Sequence, residues 1–255
     1  MSFIIDPYRY VGCPAEALAF IAAAGITDAT QKQAICTLVS DLQAFGIWTK
    51  MKAIYPFVGG TSAAHSYNLK NTSQYQITWN GGVTHNSNGI LGNGVNGYGN
   101  TNTNTTSQNT AHISIYSRTN SVSGNCSMGF GVGVIQSSMF LRYSAANDNY
   151  IRVNEQGNSS AITFNNSSGL FVANRISSTT KRNFLSNSIV QQLDNSTGTS
   201  GFPIFISALN SSGTPALYDN RQFSFASIGD GFNDTELNNL YTAVQKYQTT
   251  LGRQV

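Results

Sequence analysis

The side chains able to do chemistry in this sequence are few and far apart. Between Gly59 and Gly231 the acids are Asp148, Glu155, Asp194, Asp219 and Asp230. Cleaving a glycosidic bond requires two carboxyl groups facing each other roughly 5–10 Å apart. No two of these acids alternate on one strand face, so a glycan-cleaving enzyme is the disfavoured reading and no catalytic residue is assigned. The histidines, His65, His85 and His112, are dispersed and show no metal-ligand spacing. Gly92-Asn93-Gly94-Val95-Asn96-Gly97 lacks the lysine and the strand–helix context of a phosphate-cradling loop, and reads instead as a turn-rich hairpin connection. Calcium is the one cofactor worth carrying, because Asn147 and Asp148, followed by Asn149, and the stretch around Asp194-Asn195 concentrate hard oxygen ligands.

The other recognition chemistry is aromatic. Trp79, Tyr98 and Tyr150 lie near Asn and Gln residues, so ring faces that stack on sugars come with amides that bond hydroxyls. Trp79, in an alternating stretch, is expected to turn into the core; Tyr98, in the Gly/Asn loop, is the more open candidate. Asn-x-Ser/Thr sequons at Asn71, Asn104, Asn158, Asn166 and Asn195 follow from an Asn-rich composition. Charged residues make up 10% of the chain and the formal charge is +3. With basic residues scattered and so few, no electrostatic footprint for nucleic acid is present. Met1 to Tyr10 does not read as a signal peptide, and no apolar run approaches the roughly 20 residues that span a bilayer. Three cysteines, Cys13, Cys36 and Cys126, form an odd set without metal spacing; Cys36 falls on a helical apolar stripe and is expected as a reduced, buried thiol.

These candidates need a scaffold, and a chain of 255 residues can bury a sizeable core as one large domain. Pro14 to Ala24 reads as a short alanine-rich helix closed by Gly25. Asp28 with Gln31 opens a second helix, in which Ala34, Ile35, Leu38, Val39, Leu42 and Phe45 recur at helical spacing before Gly46. From Gly59 to Gly231 short alternating runs separated by Gly, Asn or Ser turns predict strands at 75–79, 112–117, 139–143, 150–153, 161–164, 169–173, 204–206 and 222–226. Spacings near ten residues, without intervening helices, indicate a mainly β, antiparallel jelly-roll sandwich. A C-terminal helix over 234–251 carries the stripe Leu237, Leu240, Tyr241, Val244, Tyr247 and Leu251. The organisation expected is an N-terminal segment 1–12, a helical region 13–58 packing on the sandwich, and a jelly-roll domain 59–255.

Three stretches carry a resemblance. The segment from Gly46-Ile47-Trp48 through Tyr55-Pro56-Phe57 to Gly60, the segment Trp79-Asn80-Gly81-Gly82-Val83-Thr84-His85 with Asn93 to Tyr98, and the tail from Arg221 to Gly231 with Leu240 to Gln248 resemble structural proteins of tailed phages, especially those infecting Bacteroidetes, crAss-like phages included. The pieces occur in consistent order over roughly residues 25–255. The resemblance implies a laminin-G or concanavalin A-like sandwich in a head fibre, capsid decoration or tail-associated protein, made in the host cytoplasm and located on the virion. Its implied partners are other virion proteins and further copies of itself, without membrane insertion. Phage fibres often hang such a module on a long shaft, whereas here only Met1 to Gly12 precedes the helices. Phe3, Ile4, Ile5, Pro7, Tyr8 and Tyr10 make that segment apolar and aromatic, the expected docking site on another virion protein. The alternative expectation is a carbohydrate-binding adhesin that recognises host surface glycans.

Overall fold

The computed structural model describes residues 12–157 and 160–255. The expected docking residues Phe3, Ile4, Ile5, Pro7, Tyr8 and Tyr10 lie outside the described residues. Helix α1 (Ala15–Ala23) follows Pro14, and α2 (Ala29–Ala44) begins where the Asp28 carboxylate accepts a hydrogen bond from the Gln31 N–H at 2.8 Å. A short 3₁₀ turn, Trp48–Lys50, leads into β1 (Met51–Tyr55), and α3 (Ser62–Ser66) follows. The chain then runs through β2 (Thr78–Asn80), β3 (Thr84–Asn86), β4 (Gly89–Leu91), β5 (Tyr98–Asn100), β6 (Ala111–Ser117), β7 (Met128–Val132), β8 (Ile135–Phe140) and β9 (Asp148–Glu155). It continues with β10 (Ile162–Thr163), β11 (Gly169–Arg175), β12 (Thr180–Leu185), β13 (Ser188–Leu193), β14 (Phe205–Ile206), β15 (Leu209–Ser211), β16 (Thr214–Ala216) and β17 (Gln222–Gly229). Helix α4 (Asp234–Thr250) ends the fold and opens on a full capping box between Asn233 and Glu236.

Among the described residues the strands form two sheets. The first runs β13-β12-β11-β6-β17-β4-β3, with β1 also paired to β17; the second runs β10-β9-β8-β7-β14-β5-β2, with the β15–β16 hairpin attached through β7. All pairs are antiparallel except β15 with β7, and the two sheets stack into the expected sandwich. Their facing sides make one core, in which Ile113, Ile115, Phe171 and Ile228 of the first sheet meet Met128, Phe130, Met139, Ile151 and Ile206 of the second. A second core lies on the outer side of the first sheet, where Tyr116, Leu170, Val172, Phe184 and Phe225 pack under the apolar stripes of α2 and α4. Strand β1 places residues 51–55 in the sheet, so the region expected as helical over 13–58 also contributes a strand. No helix among the described residues is long and apolar enough to cross a membrane.

Two local features depart from simple alternation. The register of β17 against β6 shifts between Phe223 and Phe225, so these residues, two apart in sequence, enter different cores. Gly129 has φ 153°, and a Cβ there would come within 2.3 Å of the Ser137 carbonyl oxygen, so β7 and β8 approach as only glycine allows.

The reduced thiol expected at Cys36 is corrected: Cys36 is joined to Cys13 in a disulfide, and Cys126 is the free, buried cysteine. The reason is tertiary. The α1–α2 hairpin brings the two Cα atoms to 4.9 Å across a separation of 23 residues, which no local motif announces. Closing a loop of that length restrains the unfolded chain by roughly 3 kcal/mol. Thiol titration in denaturant should therefore find one reactive cysteine before reduction and three after. Cys13→Ser should lower the unfolding free energy by about 3 kcal/mol; three thiols in the unreduced protein would refute the bond.

Candidate functional site

Strand alternation on β9 sends Ile151 and Val153 into the sandwich core and leaves Tyr150 and Arg152 on the other face of the second sheet. Phe140 on β8 pairs with Tyr150 and shares that face. These three, with Tyr143, Gly157, Ser160, Ala161 and Leu217, line a cleft of about 510 Å³, a size in the range of small-molecule sites. Tyr143 stands edge-on to Tyr150, with ring centroids 5.3 Å apart and planes at 80°, and to Phe140 at 5.8 Å and 81°. The Arg152 guanidinium lies over the Tyr150 ring, 4.6 Å from its centroid. Tyr143 is 43% exposed and Leu217 45%, so both apolar walls are open to a ligand.

Tyr143 owes its position to the β8–β9 turn. The strand expected over 139–143 ends at Phe140, and Arg142 takes φ 43°, turning the chain out of the sheet. Buried Asn149 holds the turn: its Oδ1 accepts from the Arg142 N–H at 2.8 Å, and its Nδ2 donates to the carbonyls of Asn147, Ile162 and Phe164. The oxygens considered for calcium are engaged in the same turn. Asp148 Oδ2 accepts from the Ser144 hydroxyl at 2.8 Å, and Asn147 Oδ1 accepts from Arg142 Nε at 3.1 Å. Both oxygens thus accept hydrogen bonds within the turn, and the Asn147–Asn149 run helps to build the cleft wall. Around the other expected cluster, Asp194 Oδ2 faces Lys181 Nζ at 3.7 Å. Among the described residues no group of three or more His, Cys, Asp or Glu side chains is placed to hold a metal ion.

The structure does not bring the three aromatic candidates together. Tyr150 lines the cleft. Trp79 lies at the rim of the sandwich core, 6.0 Å from Phe57 and 4.7 Å from His85, and lies across Gly99, where a Cβ would meet its ring at 2.6 Å. Tyr98 is the first residue of β5 rather than a loop residue, half-buried with its ring 4.6 Å from that of Phe205. The 92–97 segment before it is a link between sheets, not a hairpin connection, because β4 belongs to the first sheet and β5 to the second. Its turn is organised by Asn93 Oδ1, which accepts from the N–H groups of Val95, Asn96 and Gly97. Sequence reasoning missed Phe140, Tyr143 and Arg152. The Tyr150-Ile151-Arg152-Val153 alternation carried the signal for Arg152, whereas the turn that recruits Tyr143 has no comparable mark.

Of the acids, Asp219 is buried and receives both Oδ contacts from Arg221 Nη1, at 3.0 and 2.8 Å. Glu155 is fully buried against Lys181, and Lys181 also faces Asp194. Comparisons of the chain with protein families, with curated proteins and with solved structures returned no match.

The histidines, dispersed in sequence, are not all dispersed in space: His65 and His85 meet with Nδ1 atoms 3.1 Å apart beside Trp79. Burial pushes His65 down to about 3, with His85 and Arg253 adding to the effect. His112 is pushed down to about 4 by burial, which outweighs its hydrogen bond to the Asp230 carbonyl. The unfolded chain takes up these protons near the ordinary histidine value of about 6.5, the folded chain only near 3 to 4. Their contribution is thus fully present above about pH 6.5 and is lost as the pH falls, by about 2 kcal/mol for each histidine at pH 5. Urea unfolding should show this decline between pH 7 and pH 5, with a shallower slope in His112→Asn; constant stability over that range would contradict the assignment.

Proposed function

We propose that the chain is a non-enzymatic structural protein of a phage particle that displays its sandwich outward and engages a host-surface glycan in the cleft on β8 and β9. The observation that carries the glycan part is the asymmetry of the sandwich. One outer face is covered by α2 and α4, and the other carries Tyr150, Tyr143 and Phe140 around an open cleft. Rings standing at right angles, with hydroxyl and backbone groups of Ser160 and Gly157 beside them, offer a pyranose an apolar wall and polar partners at once.

Support for the virion part comes from the phage-like segments, which turn out to be neighbours. Strand β1, within 46–60, pairs with β17, within 221–231, and Tyr247 of the tail donates from its hydroxyl to the Pro56 carbonyl at 2.8 Å. Two of the three resembling stretches therefore meet in space, while the cleft residues from Phe140 to Ala161 lie outside all three. In this proposal other virion proteins meet the N-terminal segment that carries Phe3, Ile4, Ile5, Pro7, Tyr8 and Tyr10, and glycan binding is a property of the cleft.

The two parts are tested separately. Mass spectrometry of purified particles should find the chain as a stoichiometric component; its absence would remove the virion assignment. Binding of the purified protein to an array of host capsular polysaccharides should weaken at least about tenfold in Tyr150→Ala, with the fold intact by circular dichroism. Tyr98→Ala, outside the cleft, should leave that binding unchanged. Binding that survives Tyr150→Ala would move the glycan site elsewhere.

A further inference from the structure

Resting on the reading of the cleft as a glycan site, the charge around it narrows the class of glycan. Among the described residues that line the cleft, Arg152 alone is charged. Behind the cleft wall three cations converge on one carboxylate: Arg152 Nε lies 3.9 Å from Glu155 Oε1, Arg175 Nη2 lies 3.6 Å from Glu155 Oε2, and Lys181 pairs with Glu155 directly. Lys181 also faces Asp194 at 3.7 Å. Among the described residues, three cations face two carboxylates, one more positive charge than negative.

Arg175 and Lys181 are fully enclosed, and Arg175 is further committed to the carbonyls of Val153, Ser177, Ser178 and Asp194. Arg152 is the member that reaches the cleft. Its place there is fixed by the Tyr150 ring beneath it and by Gln136 Oε1, which accepts from Nη1 at 3.1 Å. Burial opposes the charge of both Arg152 and Lys181, and the carboxylates of Glu155 and Asp194 oppose that shift in turn. A surplus charge held in a poorly solvated wall attracts an anion more strongly than the same charge in water. A guanidinium also matches the planar geometry of a carboxylate.

We propose that the cleft selects acidic saccharides, with the carboxylate of a uronic acid-type sugar paired to Arg152 while the ring lies against Tyr150 and Tyr143. The pairing and the stacking are supplied by adjacent side chains on one strand face, so they act on the same sugar residue.

The test uses the full chain and a panel of uronic acid oligosaccharides, each with its carboxyl-reduced, neutral counterpart and a sulfated counterpart, by titration calorimetry. At least tenfold tighter binding of the carboxylate form is expected, with the preference shrinking as salt is raised from 50 to 500 mM. Arg152→Gln should remove the preference, read as the ratio of acidic to neutral affinity, and Arg152→Lys should keep part of it. Equal affinity for acidic and neutral forms in the unmodified protein would overturn the charge inference and leave the cleft reading standing, since Tyr150→Ala would still remove both. Preference for sulfate over carboxylate would overturn the assignment of sugar class. Absence of binding to every member would overturn the cleft reading itself. The comparison of ligands needs no variant, so it decides the matter even where Arg152→Gln does not fold.

Discussion

The first sheet is apolar on both sides, and the need to cover its second side governs the rest of the structure. Ile113, Ile115 and Phe171 point into the sandwich, while Tyr116, Leu170, Val172, Phe184 and Phe225 point the other way. A face of that kind is not stable in water, and neither are the amphipathic helices that match it. The helices α2 and α4, far apart in sequence, must therefore meet on this face, and they contact each other there. The β17 register shift is part of the same solution, since it lets one strand supply Phe223 to the inner core and Phe225 to the outer one. Covering one side in this way leaves the far side of the second sheet as the large surface available for recognition.

The scarcity of charge has a structural counterpart: much of what charge there is lies inside. Arg175, Arg221, Arg253 and Lys181 are among the largest fully buried side chains. A buried cation is tolerable only with full hydrogen bonding or a paired anion, and these have it. Arg253 donates to the carbonyls of Phe57, Pro56 and Ser224, clipping the end of α4 onto the exit of β1. Arg221 pairs with Asp219 and donates from Nη2 to the carbonyls of Ser121 and Leu141 at 2.8 and 2.6 Å. Leu141 begins the turn that presents Tyr143, so one buried guanidinium links the inner framework to the cleft wall. The surface is left to Asn, Ser and Thr, whose short amides and hydroxyls build the turns.

What was legible in the sequence was what local chemistry dictates. The cap at Asp28 with the stripe Ala34, Ile35, Leu38, Val39 and Leu42, and the stripe from Leu237 to Tyr247, mark helices that form where expected. The strands at 112–117, 150–153 and 169–173 follow from alternation. What was hidden is long-range. The Cys13–Cys36 bond depends on the packing angle of two helices, and the His65–His85 contact on a loop returning to the rim of the sandwich. Strand β12, Thr180–Leu185, carries Lys181, Arg182 and Asn183, so its polar pattern does not advertise a strand; buried Glu155 pairs with Lys181 there, and partly exposed Asp234 pairs with Arg182. Oxygen-rich Asn147–Asn149 looked like a metal loop because sequence shows ligand types and not their partners, and Arg142 was already one of those partners.

Framework and cleft also separate along the chain, and this bears on which changes the cleft can take without disturbing the fold. The contacts that join β1, β17 and α4 involve residues 51–57 and 223–255, whereas Phe140, Tyr143, Tyr150, Arg152 and Ala161 lie in one excursion through β8, β9 and β10. Substitutions within that excursion alter ring faces and charge at the cleft without touching the helix-covered core, provided Asn149 continues to hold the turn. Arg152 is the exception, because its guanidinium belongs both to the cleft and to the buried cluster around Glu155. Replacing it changes the charge of the cleft and, among the described residues, the balance of three cations and two carboxylates behind the wall. Arg152 is therefore tied to the buried cluster as well as to the cleft, which makes the sign of the cleft's charge harder to change than its shape.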